Sequence, residues 1–196
     1  MDELGTGAEA VKRLLDFFIC GVVLVLLSPL LIISVVMIKL TSKGPVFFLQ
    51  ERLGKDGQRF QVYKFRTMTD VARKFDVQID NSNSEVTLFG KFARRLKIDE
   101  LPQLLNVLKG DMSIVGPRPC LPSLESEFNE DGRARLLVRP GLTGLAQVNG
   151  NIYLSWEERW RLDREYVEHQ SLLLDIKIIL RTVMVVFLGE KWGRKA

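Results

Sequence analysis

The longest run of apolar positions, residues 17–38, carries no charge and is broken at its middle by Ser28-Pro29. Lys12 and Arg13 precede it, and Lys39 and Lys43 follow. A helix crossing a bilayer needs about 20 apolar residues. The 16 Leu, Ile, Val and Phe residues in this run favour insertion by about 5–9 kcal/mol, against about 3 kcal/mol for a proline inside a helix. Pro29 lacks a backbone donor, so a kink is expected there. Each half then reaches about 15 Å, halfway through a hydrocarbon core of about 30 Å. Basic residues favour the cytoplasmic side, and here both flanks are basic. A helix-break-helix that dips in and returns at Ser28 and Pro29 satisfies this pattern. A straight span with a tolerated kink is the alternative.

Beyond the apolar run, alternation predicts strands over residues 46–51 and 59–65, joined through Gly54-Lys55-Asp56-Gly57. Residues 70–87 are polar and read as a mobile surface loop. A short basic helix is expected over 88–96, and a second from Asp99 to a glycine stop at Gly110. Residues 114–122 form a rigid proline-bearing loop, 123–138 a charged helix or pair of turns, and 139–150 a glycine-rich segment. Ser155 can cap a helix running to His169, with Glu157 and Glu158 in its first turn. Residues 172–188 are almost wholly apolar and lead to Lys191 and Trp192. Such a helix fits either the plane of a membrane interface or a soluble core. The pattern as a whole predicts an α+β fold, mostly helical. A re-entrant membrane hairpin occupies 1–43, and a small mixed domain with a β-hairpin and amphipathic helices occupies 44–196.

Composition narrows the function classes. The net charge of +4 over 196 residues suits an anionic membrane face or anionic substrate. It is too weak and dispersed to imply nucleic acid. Cys20 and Cys120 form no disulfide framework, which fits a reducing compartment. A single histidine, His169, argues against zinc clusters and histidine-based triads.

Three groups of residues carry candidate chemistry. Asp99-Glu100, followed by Leu101-Pro102, reads as two carboxylates at a helix N-terminus, where partial positive charge favours ionised groups and phosphate. An ionised Asp can act as a nucleophile. Its neighbour Glu100 can hold Mg²⁺, which takes one or two carboxylates plus substrate phosphates. A simple capping role for Asp99 competes with this reading. The second group is basic: Lys64, Arg66, Arg94, Arg118 between two prolines, and Arg139 before Pro140-Gly141. Arginines pinned in such loops can clamp phosphate with little loss of entropy. The third is the segment 141–150, where Gln147 and Asn149 would face one side of an extended chain and could read a base or sugar. It has neither a Walker lysine nor dinucleotide glycine spacing.

These residues, taken in order, resemble the bacterial monotopic phosphoglycosyl transferases, the polyprenyl-phosphate sugar-phosphate transferases. The matching stretches are Lys12-Arg13 with Asp16, Ser28-Pro29, Tyr63 to Met68, Asp99 to Gln103, Asn106 to Ser113, Val115 to Pro119, Arg139 to Gly150, and Ser155-Trp156. They cover nearly the whole chain and suit the small form that is a catalytic domain alone. The resemblance implies that Asp99 attacks the β-phosphorus of a UDP-sugar, releases UMP, and passes the sugar-phosphate to polyprenyl (undecaprenyl) phosphate. It assigns Mg²⁺ to Glu100 and places Lys64, Arg94, Arg118 and Arg139 around the phosphates. It also implies a re-entrant first helix at the cytoplasmic face of the bacterial inner membrane, in contact with membrane lipids, with a homodimer as one assembly to consider. The chain departs from the family pattern at Leu145, Cys120, Arg164-Glu165 and Asn151, where many members have Arg. The last puts one donor contact in question.

Overall fold

The structure, a computed structural model, describes residues 3–69 and 85–193. Helix α1 (Glu3–Thr41) contains Pro29 in its interior and continues through it rather than dividing into two helices. The reason is local. Pro29 cannot donate to the Val25 carbonyl one turn back, but the Ser28 hydroxyl donates to that oxygen at 2.8 Å. The acceptor orphaned by the proline is thereby satisfied within the same turn.

One face of α1 packs along the rest of the chain. Near its start, Asp16 accepts from the Ser113 hydroxyl at 2.6 Å and from Ile114 N at 3.3 Å. Arg13 donates to the Val107 and Leu108 carbonyls, which lie at a helix C-terminus. Lys12 pairs with Asp175. Near the other end, Ile38 is buried with Phe65, Ala93 and Ile98, and Arg66 donates to both Ser42 oxygens at 2.9 Å. The opposite face is bare: Leu14, Phe18, Val25, Leu26, Ile32 and Leu40 are exposed, and only 11% of the most apolar window is buried.

Strands β1 (Phe47–Leu53) and β2 (Arg59–Phe65) pair antiparallel, with Phe47 opposite Phe65 and Leu53 opposite Arg59. The first strand starts one residue later and ends two residues later than alternation predicts. The polar stretch predicted for 70–87 falls mostly outside the described residues. At its end Met68 bridges Val86, leading into α2 (Leu88–Arg95), capped by the Thr87 hydroxyl on Gly90 N.

The helix expected from Asp99 to Gly110 is two pieces. A 3₁₀ turn, Ile98–Gln103, comes first, and α3 (Leu104–Lys109) follows, closed by Gly110 at φ 98°. Lys97 sits in the left-handed region at φ 58°, which separates α2 from the turn. Next come β3 (Ser113–Val115), α4 (Glu130–Ala134) and β4 (Gly141–Thr143), with β3 and β4 parallel. That pairing requires close backbone approach: a Cβ on Gly141 would lie 2.1 Å from Gly116 N. Residues 145–148 then form one helical turn, α5 (Leu145–Val148).

Helix α6 (Trp156–Glu168) carries a full capping box between Ser155 and Glu158. The nearly all-apolar α7 (Leu172–Leu188) buries Asp175, Ile178 and Val185 against the core, while Leu173, Leu180, Val183 and Phe187 are exposed. It therefore combines both readings of its sequence: one face packs, and the other is an open apolar surface. A short helix, α8 (Glu190–Gly193), ends the described chain.

Candidate active site

Two hydrophobic anchors position the carboxylate dyad. Ile98 is buried in the cluster with Ile38 and Phe65. Leu101 packs against that cluster and also against the one formed by Cys20, Val62, Leu104 and Val107. Asp99 and Glu100 lie between these anchors, both half-buried. The turn has six residues, too short for the macrodipole invoked from sequence. Side-chain cations supply the positive field instead.

Glu100 is gripped by two of them. Lys64, on β2, reaches its Oε1 at 2.9 Å. Arg118 forks across both oxygens, with Nη1 on Oε2 at 3.2 Å and Nη2 on Oε1. Burial alone would raise the Glu100 carboxyl, but Arg118 and Lys64 override it and hold the group well below the usual carboxylate range. The partners respond in opposite ways. Glu100 raises the Arg118 guanidinium above its ordinary value, while burial lowers Lys64 despite the same carboxylate.

Asp99 behaves differently. Burial, then repulsion from Glu100, raises its pKa, partly offset by Lys64, Lys97 and Arg94. Its Oδ1 is buried and has no hydrogen-bond partner. Two adjacent carboxylates with pKa values pushed apart, one locked by cations and one with an unpartnered oxygen, suit a reactive group beside a supporting one.

The same geometry bears on a divalent cation. An ionised carboxylate offers about four lone-pair sites, and Lys64 and Arg118 occupy three of those on Glu100. A position on Glu100 Oε2 remains, close in sequence to the unpartnered Asp99 oxygen. Among the described residues no group of three or more metal-ligating side chains forms. A hard cation completed by substrate phosphates fits this sparse donor set.

The remaining candidates divide. Arg94 donates to the Thr67 hydroxyl at 2.9 Å and contributes to the field at Asp99. Arg66 is buried and bonded to Ser42. Arg139 donates to the Gly110 carbonyl at 3.0 Å and pairs with Glu9. With Lys55, Arg59 and Asp111 it lines an open cleft of about 360 Å³ at the hairpin turn. Arg59 is five residues from Lys64, so this cleft lies about 17 Å along β2 from the dyad.

Gln147 and Asn149 do not share a face of an extended segment, as alternation suggested, because α5 is helical there. Both amides turn onto nearby backbone, Gln147 donating to Leu142 O at 2.9 Å and Asn149 to Leu145 O at 2.8 Å. The glycines of this segment serve the close packing of residue 116 against residues 141 and 144.

Sequence reasoning also passed over supporting residues. Asn106 is fully buried. It accepts from Tyr63 N at 3.1 Å and donates to Gln61 O at 2.7 Å, so it fixes β2, and with it Lys64, against α3. Lys97 pairs with Glu190 at 2.6 Å, and Asn151 donates to that carboxylate at 2.9 Å. A polar residue inside an apolar helix was the available signal for Asn106. Nothing local marks the Lys97–Glu190 pair, whose members are 93 residues apart.

Comparison with known proteins adds independent information. The family model described as bacterial sugar transferase matches residues 7–189. The uncharacterized sugar transferase EpsL of Bacillus subtilis is 43% identical over 179 residues, covering 91% of this chain and 88% of that protein. The UDP-glucose:undecaprenyl-phosphate glucose-1-phosphate transferase of Klebsiella pneumoniae is 41% identical, over 91% of this chain but 40% of its own length. The UDP-N-acetylgalactosamine-undecaprenyl-phosphate N-acetylgalactosaminephosphotransferase of Aeromonas hydrophila is 39% identical, over 91% and 44%. The chain thus spans less than half the length of the latter two.

Proposed function

Because the chain belongs to the bacterial sugar transferase family, we propose that it moves a sugar-1-phosphate from a UDP-sugar to polyprenyl phosphate through a covalent aspartyl intermediate. Relatives at about 40% identity carry names for this overall transfer. The observation that carries the finer reading is the unpartnered Asp99 Oδ1 beside a Glu100 already neutralised by Lys64 and Arg118.

In the first step an Asp99 carboxylate oxygen bonds to the β-phosphorus of the donor, and the bond from that phosphorus to the bridging oxygen breaks. UMP leaves with that electron pair. In the second step a phosphate oxygen of the polyprenyl phosphate attacks the same phosphorus, breaking the Asp99 ester and restoring the carboxylate. The balance is a polyprenyl diphosphate sugar and UMP. Phosphoryl transfer depends chiefly on positioning and charge neutralisation. Lys64, Arg118, Lys97 and Arg94 supply that field from four separate places in the chain. Held by Glu100 and the donor phosphates, Mg²⁺ would neutralise charge developing on the leaving phosphate. The covalent intermediate lets a water-soluble donor and a lipid acceptor use one carboxylate in turn.

The geometry also supports a monotopic arrangement at the cytoplasmic face of the inner membrane. The 39 residues of α1 extend about 58 Å, against a hydrocarbon core of about 30 Å. Both Arg13 and Ser42 are bonded to the same domain, so both ends of the apolar run belong on that domain's side. The bare faces of α1 and α7, with Leu88 and Phe92 of α2, then meet lipid.

Incubation of the purified protein with UDP-glucose, UDP-N-acetylgalactosamine and related UDP-sugars plus Mg²⁺ should give a sugar-phosphate adduct by intact mass, absent in Asp99→Asn. Release of UDP rather than UMP would instead indicate transfer of the sugar alone. Undiminished turnover by Asp99→Asn would exclude Asp99 as the nucleophile. Single-cysteine labels before Lys12 and after Lys43 should react from one side of the membrane, and labelling from opposite sides would refute the monotopic arrangement.

A further inference from the structure

The loop that aims Arg118 at Glu100 is unusual in how it is held. Pro117 and Pro119 have no backbone N–H, so the loop is tied down mainly through its carbonyls. Four successive carbonyls each meet a donor from outside the loop, from three parts of the chain. Gly141 N donates to Pro117 O at 2.9 Å and Leu53 N to Cys120 O at 3.0 Å. Between them, Arg52 Nη1 donates to Pro119 O at 3.2 Å, and Arg135 Nη2 donates to Arg118 O itself. The outer two ties are backbone to backbone. The inner two, at the carbonyls of Arg118 itself and of the next residue, are guanidinium groups.

Arg135 is itself fixed from the far side. It follows α4 in a short 3₁₀ turn, its side chain is 5% exposed, and it pairs at 3.1 Å with Asp163 of α6, which is 2% exposed. Its guanidinium carbon lies 5.8 Å from the centre of the Phe128 ring. Among the described residues this pair makes no bond to the dyad, and Arg135 connects to Glu100 through the Arg118 backbone and side chain. An ion pair buried so deeply carries a desolvation cost that a hydrophobic pair would avoid, so its presence asks for a role other than stability.

From this geometry we infer that Arg135, oriented by Asp163, is a positioning residue for the proposed phosphoryl transfer: it fixes the Pro117-Arg118-Pro119 loop so that the Arg118 fork meets Glu100. The inference rests on the transfer reading above for its kinetic consequence and on the fold alone for its structural one. Arg135 meets both Arg118 O and Asp163 through one nitrogen, Nη2; lysine at position 135 keeps the charge, but its Nζ sits one bond nearer the backbone and cannot reach both groups in the same arrangement.

The test is a double-substitution cycle on the full chain in nanodiscs, with UDP-glucose and undecaprenyl phosphate as substrates, together with amide exchange read by mass spectrometry. Arg135→Lys should lower kcat/KM about tenfold in the wild-type background and less than about twofold once Arg118→Lys is present, because the two act through one contact. Exchange should rise at the Arg118 and Cys120 amides while α6 and the β1–β2 hairpin keep their protection. Asp163→Asn should give the same pattern and serves where Arg135→Lys fails to fold. Losses that multiply independently in the double variant, or exchange rising evenly across α6 and the hairpin, would overturn the inference in favour of a general structural role. If the wild-type protein shows no turnover with any UDP-sugar, the transfer reading fails, and the exchange experiment still decides whether Arg135 holds the loop.

Discussion

Replacing Asp99 by asparagine should abolish turnover and, at neutral pH, stabilise the fold. The folded-state pKa of Asp99 lies above its ordinary value of 3.8, through burial first and Glu100 second. Between the two values the folded protein binds the proton more tightly than the unfolded chain does. Stability therefore falls as pH rises through that window. Above it, the native state carries the whole cost of an ionised carboxylate with an unpaired buried oxygen. Asparagine is almost the same shape and is neutral at every pH, so the part of that cost due to charge disappears while an unpaired amide remains. An unpaired buried polar group costs about 1–3 kcal/mol and a charged one more, so the excess due to charge is of similar size. The low end applies here, because Lys64, Lys97 and Arg94 offset part of it. A gain of about 1 kcal/mol corresponds to about 2–4 °C in Tm for a chain of this size. Thermal scans of both proteins in one detergent, at pH 7 and pH 4, read the effect. Glu100 has a depressed pKa and loses its contribution as pH falls, but it does so in both proteins and largely cancels in the difference. The asparagine variant should gain at pH 7 and gain less at pH 4, while turnover falls on the order of 10³-fold or more, as for other lost nucleophiles. A lower Tm at pH 7, or a gain of equal size at both pH values, would refute the claim that the reactive carboxylate is held against its own stability.

Other substitutions probe the supports of the site. Asn106→Ala leaves Tyr63 N and Gln61 O without their buried partner and should cost about 2–4 kcal/mol in denaturant unfolding. Ser155→Ala removes one half of the capping box on α6 and should cost about 1 kcal/mol, with little change in KM. Gly141→Ala drives a Cβ to 2.1 Å from Gly116 N, so it should fail to accumulate as folded protein in expression trials. Asp175→Asn weakens the buried pair with Lys12 and alters the acceptor of the Tyr166 hydroxyl, which lies 2.8 Å away. A loss of about 3 kcal/mol is expected, with limited proteolysis cutting first near the start of α1.

Much of the site's neighbourhood was readable before folding, where the signal is local. Ser155 announces α6 through a side-chain cap that needs only three following residues, and the basic stretch from residue 88 announces α2. The hairpin follows from alternation and a glycine-bounded turn, and the dyad follows from two acids beside a proline. Other expectations failed where local preference met tertiary demand. The helix from Asp99 to Gly110 became a 3₁₀ turn and a short helix, because Lys97 adopts a left-handed conformation and Ile98 and Leu101 must each reach an apolar cluster. Gln147 and Asn149 looked like a strand face, but the packing of residue 144 against residue 116 winds the next residues into a helical turn.

By itself the chain determined what depends on neighbours in sequence: an apolar run too long for a soluble helix, a proline whose orphaned carbonyl the preceding serine can serve, and two acids side by side. Tertiary structure alone decided which cations meet those acids. Lys64 and Arg118 lie 36 and 18 residues from Glu100, and Arg139, equally basic, is drawn to Glu9 and Gly110 instead. Charges of one sign are interchangeable in sequence. Only the packing of β2, the proline-bound loop and α1 around one turn selects the pair that comes within hydrogen-bond reach.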